Sequence, residues 1–152
     1  KVSGVAEFAG DIHLTGAVNT RQAITKLFKA SGAITAGQVV VLDTTQDGYV
    51  TTTTTAGDTK IIGVATQTTT AAGQDIEVAI GGSIQVQFDP TTPVAPGTLV
   101  GSGTTAGNAA PSGVGITIPG QGSTGAQTGS VLGKTTSAKD ASNLAWVLIL
   151  LN

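Results

Sequence analysis

The sequence contains no cysteine and no methionine, and its single histidine is His13. Without cysteine the chain forms no disulfide, offers no thiolate nucleophile and cannot bind a metal through sulfur. A single histidine also excludes a histidine cluster for a metal and a catalytic triad with a second imidazole base. We therefore expect no cofactor, no metal and no enzymatic activity, and we expect stability to come from packing or from assembly.

Charged residues are scarce, since they make up 11% of the chain and leave a net charge of -2. Seven basic residues in a mildly acidic chain give no electrostatic footprint for nucleic acid or for an anionic membrane. The apolar run from Trp146 to Leu151 is far shorter than the about 20 residues that a membrane-spanning helix needs. The composition predicts a soluble protein that binds neither nucleic acid nor membranes.

Glycine and threonine are abundant, with 22 glycines in 152 residues and an unbroken threonine run from Thr51 to Thr55. A chain poor in helix formers and rich in β-branched residues favours strands. Short apolar stretches separated by turn residues recur regularly, which predicts an all-β fold, either a small β-barrel or a sandwich. The predicted strands are residues 24–28, 39–42, 49–53, 61–65, 76–80, 84–88, 99–100, 115–118, 131–132 and 144–151.

An internal repeat predicts two related halves, residues 35–82 and 95–152. The ungapped alignment of their strands places Ile76 over Trp146, so Trp146 is expected in the core. The alternative is that two hairpin modules in a chain rich in Gly and Thr look alike without any duplication. Other matched pairs are Gly63 with Gly133, Gly73 with Asn143, Val78 with Leu148 and Ile80 with Leu150.

Two segments do not fit the regular strand pattern. Residues 1–22 are too apolar for an ordinary tail and too sparse to form a core, so they predict an N-terminal arm in front of a β domain at 23–152. Residues 101–128 are rich in Gly and predict a long loop. The stretches 39–42 and 144–151 are apolar without alternation, so we expect both of their faces to be covered.

Several motifs resemble chemical sites but lack what the chemistry needs. Residues 129–135 have three residues between Gly and Gly-Lys, where a phosphate loop needs four, and a strand rather than a helix is predicted next. Residues 120–125 match G-x-G-x-x-G inside a run of small residues, with no strand before them or helix after them. Asp43 and Asp47 precede a glycine without the other ligands of a calcium loop, so they predict a hairpin turn. Glu77 is expected to face solvent.

Two stretches carry a family resemblance. Residues 31–43, SGAITAGQVVVLD, and residues 60–82, KIIGVATQTTTAAGQDIEVAIGG, resemble the capsid cement, or head decoration, proteins of tailed bacteriophages. The family has a G-x-V-V strand, an I-G-V-A strand and a strand that ends in Gly-Gly in this order. The end of the chain, VLGKT at 131–135 and WVLIL at 146–150, is similar to the end of the family's proteins.

The resemblance implies a small β-barrel or sandwich that binds the outside of an assembled capsid and strengthens it without chemistry. The implied partners are the shell of major capsid protein and two further copies of the chain in a homotrimer. The implied location is the outer surface of the virion, after synthesis in the host cytoplasm. The alternatives that remain open are another virion component, such as a tail or fibre domain, and a carbohydrate-binding β module.

The arm is the candidate contact site. Phe8, Ile12 and Leu14 would each contribute about 1.5–3 kcal/mol if fully buried, so they are expected to dock on a neighbouring subunit or on the capsid. Strand addition to an open sheet edge is the expected mode. The arm folding back over its own barrel is the alternative. The candidate contact residues are Phe8, Ile12, His13 and Leu14.

Overall fold

The computed structural model describes residues 23–112 and 130–151, and these residues form nine β-strands and no helix. The all-β prediction is therefore confirmed. The strands are β1 Ala23–Ala30, β2 Val39–Leu42, β3 Tyr49–Thr51, β4 Ile61–Ala65, β5 Asp75–Gln87, β6 Leu99–Ser102, β7 Ala109–Pro111, β8 Gly133–Thr135 and β9 Leu144–Ile149.

The first five strands close into a barrel in the order β1-β3-β2-β4-β5, because β1 also pairs with β5. The closing β1–β5 ladder is antiparallel and runs from Ala23 against Gly82 to Lys29 against Asp75. β1 meets β3 in parallel, with Lys29 opposite Tyr49. Because the barrel is closed, each of its five strands pairs with a neighbour on both sides. The interior is filled by Ala30, Ile34, Val40, Val50, Ala65, Ile76 and Val78.

β5 belongs to two parts of the molecule. Its first half pairs with β1 and β4, and its second half, from Gly82 to Gln87, pairs with β9. The remaining strands continue outside the barrel in the order β9-β8-β6-β7, and Phe88 forms a parallel bridge to Ala109 that brings β7 back to the end of β5. We call the second half of β5 together with β9, β8, β6 and β7 the outer sheet.

A second hydrophobic core lies between the barrel and the outer sheet. Val39 and Val41 face this core, while Val40, between them, faces the barrel interior, and all three are buried. The prediction that both faces of residues 39–42 are covered holds for Val39, Val40 and Val41, which the chain itself covers, and is wrong for Leu42, which is 43% exposed. The other members of the second core are Ile61, Val64, Ala79, Val86, Phe88, Val94, Val100, Ala109, Leu132, Ala145, Val147 and Ile149.

The barrel and the outer sheet contain similar pairings. Val40 lies opposite Gly63 between β2 and β4, and Val100 lies opposite Gly133 between β6 and β8. Gly37 and Gly97, which precede these strands, both have positive φ, at 89° and 84°. Their amides donate to equivalent carbonyls, those of Ala65 and Thr135. The internal duplication stays a prediction, which these pairings support.

Two boundaries differ from the prediction. Residues 76–80 and 84–88, expected as separate strands, form one strand through Gly81-Gly82, because this stretch pairs with β1 on one side and β9 on the other. The expected loop at 101–128 contains the end of β6 and all of β7. The strand predicted at 115–118 and the arm at 1–22 lie outside the described residues.

Candidate functional site

The predicted contact residues, Phe8, Ile12, His13 and Leu14, all lie outside the described residues, so the structure does not place them. It does place the residue at which the described chain begins. The description begins at Ala23, the first residue of β1, which lies opposite Gly82 on β5. Gly82 in turn pairs with Ile149 on β9. The described chain therefore begins where the barrel meets the outer sheet.

No group of three or more metal-binding side chains occurs within residues 23–112 and 130–151. In the same ranges, every buried side-chain nitrogen or oxygen has a hydrogen-bond partner. The buried carboxylate of Asp58 accepts the Thr53 hydroxyl at 2.8 Å and the Lys60 amide at 2.9 Å. Such groups fix loops and leave no buried donor or acceptor free for a ligand.

Asp43 lies in the turn between β2 and β3, as predicted. Its carboxylate accepts hydrogen bonds from the Ser31 hydroxyl at 2.5 Å, and from the Thr45 hydroxyl at 2.6 Å and amide at 2.8 Å. The Ser31 hydroxyl, followed by Thr45, holds the pKa of Asp43 below its usual value, because these donors stabilise the ionised form. The Asp43 carboxylate therefore holds the turn through Ser31 and Thr45, and these partners are hydrogen-bond donors, not the oxygen ligands of a calcium site.

The phosphate-loop-like segment ends in a strand. Lys134 is the central residue of β8 and lies opposite Leu148 on β9. A strand offers no helix N-terminus to a phosphate, in agreement with the sequence argument. The part of the chain that the structure describes also contains no helix with the length and apolar character to cross a membrane.

Glu77 is half-buried, so the expectation that it faces solvent is only partly met. Its carboxylate accepts the Thr25 hydroxyl at 2.7 Å and the Thr66 hydroxyl at 3.1 Å. These partners come from β1 and from the end of β4, the two strands beside β5. Glu77 thus links three strands on the outside of the barrel.

Trp146 is 41% exposed, so the prediction that it belongs to the core is wrong. Side chains alternate along a strand, and on β9 the inward positions are Ala145, Val147 and Ile149. The structural register puts Ala145, not Trp146, in the position that corresponds to Ile76, one residue away from the ungapped alignment. The expectation that both faces of the C-terminal strand are covered also fails within the described residues.

The outward side chains of β9, together with Leu150 just after it, form an apolar row of Leu144, Trp146, Leu148 and Leu150, which we call the β9 face. Trp146, Leu148 and Leu150 are exposed, and Leu144 is half-buried. At the Leu144 end lies a groove of about 300 Å³. Sequence analysis missed this surface because every residue from Leu144 to Leu151 is apolar, so no polar position marks the outward side of the strand. The groove is lined by Ala36, Gly37, Ala65, Thr66, Ile84, Gln85 and Leu144.

Comparison with protein families gives a match over residues 1–80 to the phage cement protein family, which is more than half of the chain. The chain belongs to this family. The matched region covers residues 1–22, which are predicted to form an arm, and the barrel strands as far as Ile80 on β5. As a phage cement protein, the chain is a structural component of the virion that binds the capsid.

A solved structure also resembles the chain: the N-terminal base of the head fiber protein gp8.5 of bacteriophage phi29. It aligns with a TM-score of 0.56 and 13% sequence identity, over 84% of this chain and 93% of that one. At this identity the likeness shows a shared fold. No curated protein sequence matches the chain at a significant level.

Proposed function

We propose that the protein binds the outer surface of the assembled capsid as a homotrimer and stabilises the shell without catalysing a reaction. The observation that carries this proposal is the extent of the family match, which begins at residue 1 and includes the arm. The region shared by capsid-binding proteins is therefore the arm together with the barrel. We also propose that the protein is synthesised in the host cytoplasm before it attaches to the virion.

The arm residues Phe8, Ile12, His13 and Leu14 are proposed to contact the capsid protein or a neighbouring subunit. Ile12 and Leu14 are two residues apart, so both point to one side of an extended segment. An extended arm pairs its backbone with an open sheet edge and inserts alternate side chains into pockets. Phe8 is one of the chain's three phenylalanines. Buried aromatic side chains contribute much of the binding energy of many interfaces, so Phe8 is proposed as an anchor of the arm.

The test uses purified empty capsids and three proteins: the full chain, a variant lacking residues 1–15, and Leu42→Ala. Leu42 is 43% exposed on the barrel and serves as a matched apolar control outside the arm. We expect the deletion to lower capsid affinity at least about 100-fold, as the loss of two or three buried apolar anchors predicts. Its melting temperature should stay close to that of the full chain, and Leu42→Ala should bind normally.

The opposite result is unchanged capsid binding with a sharply lowered melting temperature, which would show that the arm covers its own barrel. A second measurement follows the thermal or osmotic release of DNA from heads with and without the protein. Heads that are no more resistant with the protein bound would contradict the stabilising role. Co-purification with tails instead of heads would favour the tail or fibre alternative.

A further inference from the structure

The exposed apolar side chains of the described residues are concentrated in one place. Five of the seven large ones are Ile24, Trp146, Leu148, Leu150 and Leu151, which belong to β9, to the residues that follow it and to the start of β1. Contiguous apolar surface of this kind marks an interaction site more often than isolated exposed residues do. Trp146 is also the chain's only tryptophan, a residue type enriched at the centres of interfaces.

The β9 face continues at both ends. At one end Ile24 lies over Gly81, where a β-carbon would be 3.6 Å from Ile24 Cδ1, and this places Ile24 toward Leu150. At the other end the row runs into the groove beside Leu144. From Leu144 to Leu150 the row is about 20 Å long at the usual rise per strand residue. A row of this length can form the apolar centre of an interface. A standard interface buries about 800 Å² on each partner, so polar residues around the row must supply the rest of the buried area.

Strand addition cannot cover this surface. β9 pairs with β5 on one side and with β8 on the other, so its backbone donors and acceptors are already used. A partner must therefore pack flat against the side chains, as one sheet packs on another about 10 Å away. An extended arm has no open edge to join here.

The charges around the β9 face suit a second copy of the chain. The residues of β5 opposite Leu148 and Trp146 are Ser83 and Gln85, which are both uncharged. The charged neighbours of the row are Lys134, opposite Leu148, and Asp140, whose carboxylate accepts the Leu144 amide at 2.9 Å. Each copy therefore carries a cation and an anion at different points along the row, and a head-to-tail contact can place the lysine of one copy beside the carboxylate of the next at the rim.

The surface is built from both sides of the end of the family match at residue 80: β9 lies beyond it, and the groove residues Ala36, Gly37, Ala65 and Thr66 lie within it. We propose that the β9 face, with Trp146 at its centre and the groove beside Leu144, is the surface through which copies of this chain associate. This inference rests on the proposed homotrimer and names its contact. A ridge and a groove on one copy allow the head-to-tail contact that a closed ring of three requires.

Sedimentation velocity on the full chain, from about 1 to 100 μM, tests the inference. The variants are Trp146→Lys and Leu148→Lys, and Leu42→Lys is the control because Leu42 is exposed to the same extent outside the face. We expect the full chain and Leu42→Lys to associate, and both face variants to weaken association at least 100-fold with unchanged circular dichroism. The fluorescence of Trp146 in the full chain should shift to shorter wavelength as concentration rises, and in Leu148→Lys it should not.

The outcomes distinguish this inference from the proposed function. An oligomer that survives both face variants would overturn the β9 face and leave the homotrimer standing. A full chain that stays monomeric at 14.9 kDa, with constant Trp146 emission, would overturn both the face and the homotrimer. Loss of capsid co-sedimentation in Trp146→Lys, with a monomeric full chain, would assign the face to the shell. Capsid binding through the arm is measured separately by the deletion of residues 1–15.

Discussion

Gly63 lies against the main chain of Ala79 so closely that a β-carbon on Gly63 would overlap the Ala79 carbonyl oxygen. The same relationship holds in the outer sheet, where a β-carbon on Gly133 would overlap the carbonyl oxygen of Leu148. In each case the glycine lies on a short strand that pairs with a longer one, β4 with β5 and β8 with β9. Only a residue without a β-carbon lets the two backbones come this close. Both glycines are buried.

Alanine at either position should destabilise the protein. We expect Gly63→Ala and Gly133→Ala each to lower the free energy of unfolding by about 3 kcal/mol, because the obstacle is backbone and cannot rotate away. Gly32→Ala is the control, since a β-carbon there would meet nothing within 4 Å. Urea unfolding measures the difference, and equal stability of Gly63→Ala and Gly32→Ala would contradict the close approach.

The barrel and the outer sheet should unfold as one cooperative unit. Ile76 fills the barrel interior and Phe88 fills the second core, and both are fully buried. We expect Ile76→Ala to cost about 2–5 kcal/mol and Phe88→Ala about 3–5 kcal/mol. Each variant should shift a single calorimetric transition, because Val39, Val41 and Ala79 tie the barrel to the second core. Two separate transitions, each moved by one variant, would show independent units.

The Asp43 turn should make a pH-dependent contribution to stability. The pKa of Asp43 is lowered in the folded protein, mainly by the Ser31 hydroxyl, so the unfolded chain binds the proton more readily. The contribution is therefore present above the ordinary value of 3.8 and is lost as the pH falls through the lowered pKa. We expect Ser31→Ala to raise the pKa of Asp43 in a carbon-detected NMR titration. Ser83→Ala, which removes a hydroxyl on β5, should leave that titration unchanged.

Nucleotide and divalent cations should leave the melting temperature unchanged. A ligand that binds the native state raises its stability by mass action, so absence of a shift reports absence of binding. Lys134, the residue that a phosphate loop would use, lies in the middle of a strand. A rise of several degrees with ATP and Mg²⁺ that Lys134→Ala abolished would revive nucleotide binding.

The barrel strands were predictable because their signals are local. Residues 39–42 and 61–65 were predicted with the bounds that the structure shows, since each is a run of β-branched residues between turn signals. The single β5 was not, because Gly81-Gly82 reads as a turn and only its pairing with β1 and β9 keeps it extended. Long-range pairing of this kind leaves no trace in a short window of sequence.

The error at Trp146 has a different cause. An ungapped alignment assumes that equivalent strands keep the same register, and a shift of one residue turns every side chain to the other face of the sheet. The ungapped alignment therefore predicts Trp146 in the core and turns the outward row of β9 inward. Every residue from Leu144 to Leu151 is apolar, so no polar position in the strand reveals which side is buried.

The shared strand β5 also determines how the molecule carries mechanical load. A force applied at Ala23 passes through the β1–β5 ladder into β5, and Gly82, opposite Ala23, also pairs with Ile149 on β9. The hydrogen bonds on both sides of β5 therefore share the load. The barrel and the outer sheet cannot be pulled apart without breaking the backbone pairing of β5 with β1 and β4 or with β9.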